Sequence, residues 1–105
     1  MPPDYDALKQ AFRDKAYTLT NHASDRAVLR EIDDFEIEEA VIAGEVIEDY
    51  PNDKYGPSCL ILGKTKAGRN LHVQVSYPPV VKVITAYEPT TAKWDEDLKT
   101  RKDDE

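Results

Sequence analysis

The chain has two histidines, and each lies near an arginine within a patterned segment. His22 precedes Arg26 by one helical turn in Asn21-His22-Ala23-Ser24-Asp25-Arg26. His72 follows Arg69 by three residues in Arg69-Asn70-Leu71-His72-Val73-Gln74-Val75. Imidazole moves protons near neutral pH, and guanidinium grips phosphate or carboxylate through a planar fork. The pairing points to phosphate-ester chemistry. Lys64, Lys66 and Arg69 form the densest basic cluster, around a short turn. Tyr87 lies on a later strand, where its hydroxyl can give or take a proton or its ring can stack on a base. The candidate catalytic residues are therefore His22, His72 and Tyr87, with Arg26, Arg69, Lys64 and Lys66 as candidate substrate contacts.

These residues need elements to position them. Pro2 and Pro3 precede a helix that Asp4 can cap, and Tyr5, Leu8 and Phe12 give it one apolar stripe to about residue 16. Tyr17-Thr18-Leu19-Thr20 is short and β-prone, an edge strand or a linker. Thr20 or Asn21 caps a second helix, where Ala23 and Ala27 face the core and His22, Arg26 and Arg30 form a polar ridge. Asp33 starts a third helix, with Glu36 in capping-box position and Gly44 expected in the left-handed conformation at its end. Ile37, Ala40 and Val41 share one face of that helix, whereas Phe35 and Ile42 lie roughly opposite.

From Glu45 the period changes to two. Residues 45–50, 58–64, 69–77 and 80–87 read as strands, with turns at 51–57 and at Lys66-Ala67-Gly68-Arg69. In the third of these, Leu71, Val73, Val75 and Tyr77 alternate with Asn70, His72, Gln74 and Ser76. His72 is therefore expected on an open, polar sheet surface. In the last strand, Val83, Thr85 and Tyr87 share a face, and sequential strand order brings Tyr87 near His72. Trp94 and Leu98 mark a short terminal helix or docked tail. The expected fold is α+β: N-terminal helices on one face of a four-stranded antiparallel sheet, its other face partly open. Residues 1–105 form one domain, with its core at about 17–95 and an acidic tail at 103–105.

Net charge is −7, yet it is unevenly spread. Residues 1–53 hold 14 acids and 5 bases, and residues 54–102 hold 4 acids and 9 bases. A sequence pI near 4.8 departs from the high pI of a non-specific nucleic-acid binder, although the second half is basic. No apolar run approaches the roughly 20 residues that span a bilayer, and no charged-then-apolar leader opens the chain. The lone cysteine, Cys59, sits in an apolar run and reads as core. The expected location is cytoplasmic. There is no glycine-rich phosphate loop, serine elbow or Cys–His catalytic spacing, and no histidine spacing of a zinc site, so neither a cofactor nor a metal is expected.

Several segments together carry a resemblance. They are Leu19-Thr20-Asn21-His22-Ala23 with Arg26, Glu36-Ile37-Glu38-Glu39-Ala40-Val41, and Gly44-Glu45-Val46-Ile47-Glu48. To these add Tyr50-Pro51 with Asp53, Pro57-Ser58-Cys59-Leu60, Gly68-Arg69 with Leu71-His72-Val73, and Ile84-Thr85-Ala86-Tyr87-Glu88-Pro89 with Trp94. Over about residues 17–95 the chain resembles domain-of-unknown-function family 4258. That family is similar to the small RelE/ParE-like toxins of bacterial toxin–antitoxin modules. The resemblance implies a RelE-like fold and a metal-independent endoribonuclease, with RNA as substrate and an antitoxin-like protein as partner. His22, Arg26, Arg69, His72 and Tyr87 would map near its RNA-cleaving site.

Two classes of function are therefore expected. In a hydrolase-type RNA cleavage, one histidine takes the 2′-hydroxyl proton, a second acid protonates the leaving oxygen, and an arginine holds the phosphorane. This requires both imidazoles to converge beside a guanidinium on the uncovered side of the sheet. The alternative is a non-catalytic protein-interaction module whose acidic half recruits a basic partner. A small phosphate- or carboxylate-ligand enzyme is a third class, for which no cofactor motif exists.

Overall fold

The computed structural model describes residues 5–54 and 56–101. The proposed cap at Asp4, the Pro2-Pro3 lead and the acidic tail at 103–105 lie outside these residues. Three helices come first: α1 (Tyr5–Arg13), α2 (Asn21–Leu29) and α3 (Asp34–Ala43), with a two-residue strand β1 (Thr18–Leu19) between α1 and α2. Four strands follow: β2 (Glu45–Tyr50), β3 (Ser58–Lys64), β4 (Asn70–Ser76) and β5 (Lys82–Tyr87). The fold is α+β, as the change of period implies.

The sheet departs from the expected four-stranded antiparallel arrangement. It has five strands in the order β1-β5-β4-β3-β2, and β1 joins β5 in parallel, Thr18 opposite Lys82 and Leu19 opposite Val83. The sheet is mixed. The physical reason is that Tyr17 to Thr20 is extended and sits where the edge of β5 would otherwise be bare, so Thr18 N–H donates to Val81 O and Thr20 N–H to Val83 O. Two residues carry too little pattern to distinguish a strand from a linker. The remaining pairs, β5–β4, β4–β3 and β3–β2, are antiparallel.

One face of the sheet carries the helices. α3 packs across β3 and β4, α2 packs along β5, and α1 packs on α3. Leu8 and Phe12 from α1, Ala23 and Ala27 from α2, and Ile37, Ala40 and Val41 from α3 meet Cys59, Ile61, Leu71, Val73, Val75 and Val83 in one core. Phe12 also stacks on Tyr17, the ring centroids 4.4 Å apart. Thr20 caps α2 by accepting the Ala23 N–H, and Glu36 reaches back to accept the Asp33 N–H at the head of α3.

Close approach of α3 to the sheet needs two glycines. A Cβ on Gly63 would lie 1.8 Å from the Ala40 carbonyl oxygen, and one on Gly44 would lie 2.5 Å from the same atom. Gly44 is extended (φ −89°, ψ −175°), not left-handed as expected: it ends α3 by proximity to β3 rather than by backbone handedness. Gly68, at φ 93°, does use the left-handed region in the β3–β4 turn.

The second face is the larger surprise. Leu60 and His72 on that face are 2% and 0% exposed. The segment after β5 folds back over it, with Trp94 only 3% exposed. Of the two expectations for Trp94 and Leu98, the docked tail is the one seen: among the described residues no terminal helix forms, and Trp94 and Arg101 make an isolated antiparallel bridge that closes the tail on itself. An irregularity between Gln74 and Val75 in the β4–β5 register leaves Ile84 unpaired and moves Val83 to the helix face, away from Thr85 and Tyr87.

The tight seat at Gly63 makes a direct prediction. Gly63→Ala forces β3 from Ala40 and should cost about 1–3 kcal/mol, read as a lower urea midpoint at unchanged slope. Gly56→Ala meets nothing within 4 Å but carries the left-handed strain of φ 90°, so its loss should be the smaller of the two.

Candidate functional site

His72 sits at the centre of β4, opposite Leu62 on β3 and Tyr87 on β5. Alternation places it away from the helices, as expected from sequence, but the face it occupies is covered, not open. Its Nδ1 lies 3.2 Å from the Tyr87 hydroxyl and its Nε2 lies 2.7 Å from the Leu98 carbonyl oxygen. A carbonyl can only accept, so Nε2 carries the proton and Nδ1 receives the Tyr87 O–H. The Trp94 ring meets the imidazole edge-on at 4.4 Å, perpendicular to it. Burial pushes the His72 pKa down, overcoming the Leu98 carbonyl and the Glu48 charge that favour the protonated form. The imidazole is therefore held neutral, in one tautomer, with both nitrogens engaged.

The cover is fixed by a charged clasp. Arg101 Nε lies 2.9 Å from Glu48 Oε2, and Arg101 Nη2 lies 3.1 Å from Glu48 Oε1. The guanidinium also stands 4.7 Å over the Trp94 ring, and Tyr50 donates its hydroxyl to Glu48. Burial raises the Glu48 pKa, but the hydrogen bonds from Arg101 and Tyr50 prevail and hold it below the ordinary carboxylate range. Burial, then the hydrogen bond to Glu48, push Tyr50 up to about 12.

Beside Tyr87 a cleft of about 520 Å³ opens, lined by Arg30, Tyr87, Glu88, Lys93, Trp94 and Arg101 among others. Three cations and one acid thus line a surface on an otherwise acidic chain. Arg30 comes from the end of α2, where it also donates to the Ala86 carbonyl at 2.8 Å. Tyr87, half-buried and raised in pKa by burial, is the group that links this cleft to His72.

The other sequence candidates are dispersed. His22 and Arg26 are exposed on α2, in the helical layer, whereas His72 is buried on the far face of the sheet. No hydrogen bond or ring contact among the described residues joins the two imidazoles, so the expected convergence does not occur. The reason is topological: α2 follows the edge strand β1 and packs along β5 with Ala23 and Ala27 inward, leaving His22 in solvent. Arg69 binds the Arg30 and Glu31 carbonyls at 2.8 and 2.7 Å and pairs with Glu36 and Glu88. It ties the β3–β4 turn to the end of α2 and to α3. Lys64 and Lys66 face a separate groove of about 480 Å³ with Phe35, Glu38, Glu39 and Ile42. The basic turn is thus divided between two surfaces.

Sequence reading missed Glu48, Tyr50, Lys93 and Arg101 as site residues. The alternation of Glu48 and Tyr50 on one face of β2 was an available signal. For Arg101 there was none, because its place follows from the tail's return. Among the described residues no group of three or more His, Cys, Asp or Glu is placed to hold a metal ion, and no helix is long and apolar enough to cross a membrane.

A family model described as Domain of unknown function (DUF4258) matches residues 19–88, which include α2, α3, β2 through β5, Arg30, His72 and Tyr87. No curated protein and no solved structure matches the chain.

The neutral His72 has a thermodynamic consequence. Its folded pKa lies below the unfolded value of roughly 6.5, so the unfolded chain binds a proton that the folded chain resists. The stabilisation is complete above that value and is lost as pH falls through it. Denaturant titrations between pH 7 and 5 should show stability falling by up to about 1.4 kcal/mol per pH unit, the one-proton limit. His72→Gln should flatten this slope; an unchanged slope would mean that His72 is not held neutral.

Proposed function

We propose that this chain, which belongs to the DUF4258 family, is a metal-independent endoribonuclease of RelE-like kind acting in the cytoplasm through the Tyr87 cleft. The observation that carries this reading is the Tyr87 hydroxyl, backed by a neutral imidazole and opening onto Arg30, Lys93 and Arg101. The cations suit a phosphodiester. Exposed Arg26 and His22 extend the same polar ridge of α2 from Arg30, one turn at a time, as outer backbone contacts. The two-histidine mechanism is set aside.

In the single-imidazole scheme, the ribose 2′-hydroxyl passes its proton to Tyr87 Oη while the Tyr87 proton moves to His72 Nδ1. The 2′ oxygen attacks phosphorus, the P–O5′ bond breaks, and the leaving 5′ oxygen takes a proton from the Lys93 ammonium. Arg30 and Arg101 face the charge that develops on the phosphorane. The products are a 2′,3′-cyclic phosphate and a 5′-hydroxyl. Relaying through a tyrosine allows a shielded histidine to act on a substrate that it does not touch.

A second reading is favoured by a different observation. Phe35 is 58% exposed on α3 and borders two grooves, one lined by Glu38, Glu39 and Ile42 and the other by Val28, Asp33 and Asp34. An apolar ridge bordered by Asp33, Asp34, Glu38 and Glu39, with Lys64 and Lys66 on the far side of the first groove, suits a mainly basic amphipathic segment of a protein partner, as in a non-catalytic interaction module of a toxin–antitoxin-like system.

One experiment separates the two. Single-stranded RNA incubated with excess EDTA should be cleaved by the wild type, and Tyr87→Phe should lower the rate about 10²- to 10⁴-fold. The same pair should differ in growth arrest on expression in a bacterium. No cleavage, with growth arrest kept in Tyr87→Phe and lost in Phe35→Asp, selects the interaction module.

A further inference from the structure

Residues 94–101 cover His72 as a unit that holds itself together. Asp95 N–H donates to the Thr100 carbonyl at 2.8 Å, and Leu98 N–H to the Asp95 carbonyl at 2.8 Å. Asp97 Oδ1 accepts the Lys99 and Thr100 N–H groups at 2.9 and 3.1 Å. The Trp94–Arg101 bridge closes the base of this loop. Its internal bonds do not depend on the sheet.

Its attachments to the sheet are of another kind. Among the described residues, no backbone–backbone hydrogen bond joins residues 95–101 to any strand. The loop is held by the Leu98 carbonyl on His72 Nε2, by the Trp94 ring on the imidazole, by Arg101 on Glu48, and by Lys99 on Glu45 at 3.3 Å. The two ion pairs are partly exposed, with Arg101 59% and Lys99 45% accessible, so solvent and salt compete for them. Leu98, whose carbonyl makes the central contact, has φ 61°, a region that non-glycine residues seldom occupy. The closed position thus places backbone strain at the atom that contacts the imidazole. Lifting the loop as a unit breaks no sheet ladder, keeps its internal bonds, and exposes His72 Nε2.

We propose that residues 94–101 are a releasable strap that keeps His72 out of solvent, opening when the Arg101–Glu48 clasp lets go. As a regulator of catalysis the strap rests on the nuclease reading, because only then does the closed Leu98 contact, by holding the proton on Nε2 and leaving Nδ1 to Tyr87, set a rate. As a moving element it does not depend on that reading. The cleft itself supplies a trigger: Arg101 lines it, so a bound phosphodiester competes with Glu48 for the same guanidinium.

Acylation by diethyl pyrocarbonate tests the strap on the full chain, with exposed His22 as the internal reference. Peptide mass spectrometry then reads the two sites separately. In wild type, His72 should react more slowly than His22 by roughly tenfold or more. Glu48→Gln substitutes none of the cleft's cations and should raise the His72 rate by about fivefold, the scale of a partly exposed ion pair. Raising salt from 0.05 to 1 M should do the same to the wild type, and His22 should serve as the baseline in both cases. The proposal is overturned if His72 stays at its wild-type rate under both treatments. It is equally overturned if His72 reacts only as fast as β4 amides exchange with deuterium, for then the loop opens with global unfolding alone. A faster His72 in Glu48→Gln supports the strap whether or not RNA is cut; if RNA cleavage is absent throughout, the nuclease reading fails and the strap stands.

Discussion

The structure turns on one hydrogen bond, between His72 Nε2–H and the Leu98 carbonyl at 2.7 Å. A strand histidine facing away from the helices would normally remain wet. Here the carbonyl fixes the tautomer, the Trp94 ring excludes water, and the other nitrogen is left to accept the Tyr87 hydroxyl. Removing the carbonyl would leave a buried donor unpaired, at a cost of about 1–3 kcal/mol. The tail, the sheet and the cleft are therefore one assembly, although the tail contributes no strand.

The charge distribution follows the same logic. An acidic chain can still build a basic cleft, because Arg30, Lys93 and Arg101 come from three segments that meet only in the fold. The acids of the first half are largely spent elsewhere. Glu36 caps α3 and pairs with Arg69, and Glu38 accepts Tyr17 while pairing with Lys15. Local field, not net charge, governs what the cleft attracts. Net charge governs how far away that attraction begins.

Much of this was legible from local pattern. The caps at Thr20 and Asp33, the alternation of β4, the turn at Gly68 and the juxtaposition of His72 with Tyr87 all follow from short-range rules. What was not legible depends on distant segments. Thr18 and Leu19 are β-prone, but a choice between edge strand and linker, and a parallel pairing with β5, cannot be read from two residues. His72 looked solvent-exposed because its strand neighbours Asn70, Gln74 and Ser76 are polar; the cover comes from residues 94–101, where Trp94 and Leu98 signal docking but not the surface on which the tail docks. The apolar ridge of Phe35 and Ile42 was visible in sequence, and the structure leaves Phe35 exposed there. Pairing of His22 with His72 failed for the reason that adjacency to an arginine is a one-dimensional property, while a site is not.

On the proposed function, RNA engages the Tyr87 cleft. The most direct measurement is backbone chemical-shift mapping while a short single-stranded RNA, 2′-O-methylated to prevent cleavage, is titrated into the full chain. Perturbations should centre on Arg30, Thr85, Tyr87, Lys93 and Arg101, and weaken as salt rises. Perturbations absent from this set, or gathered around Phe35 and Ile42, would contradict it.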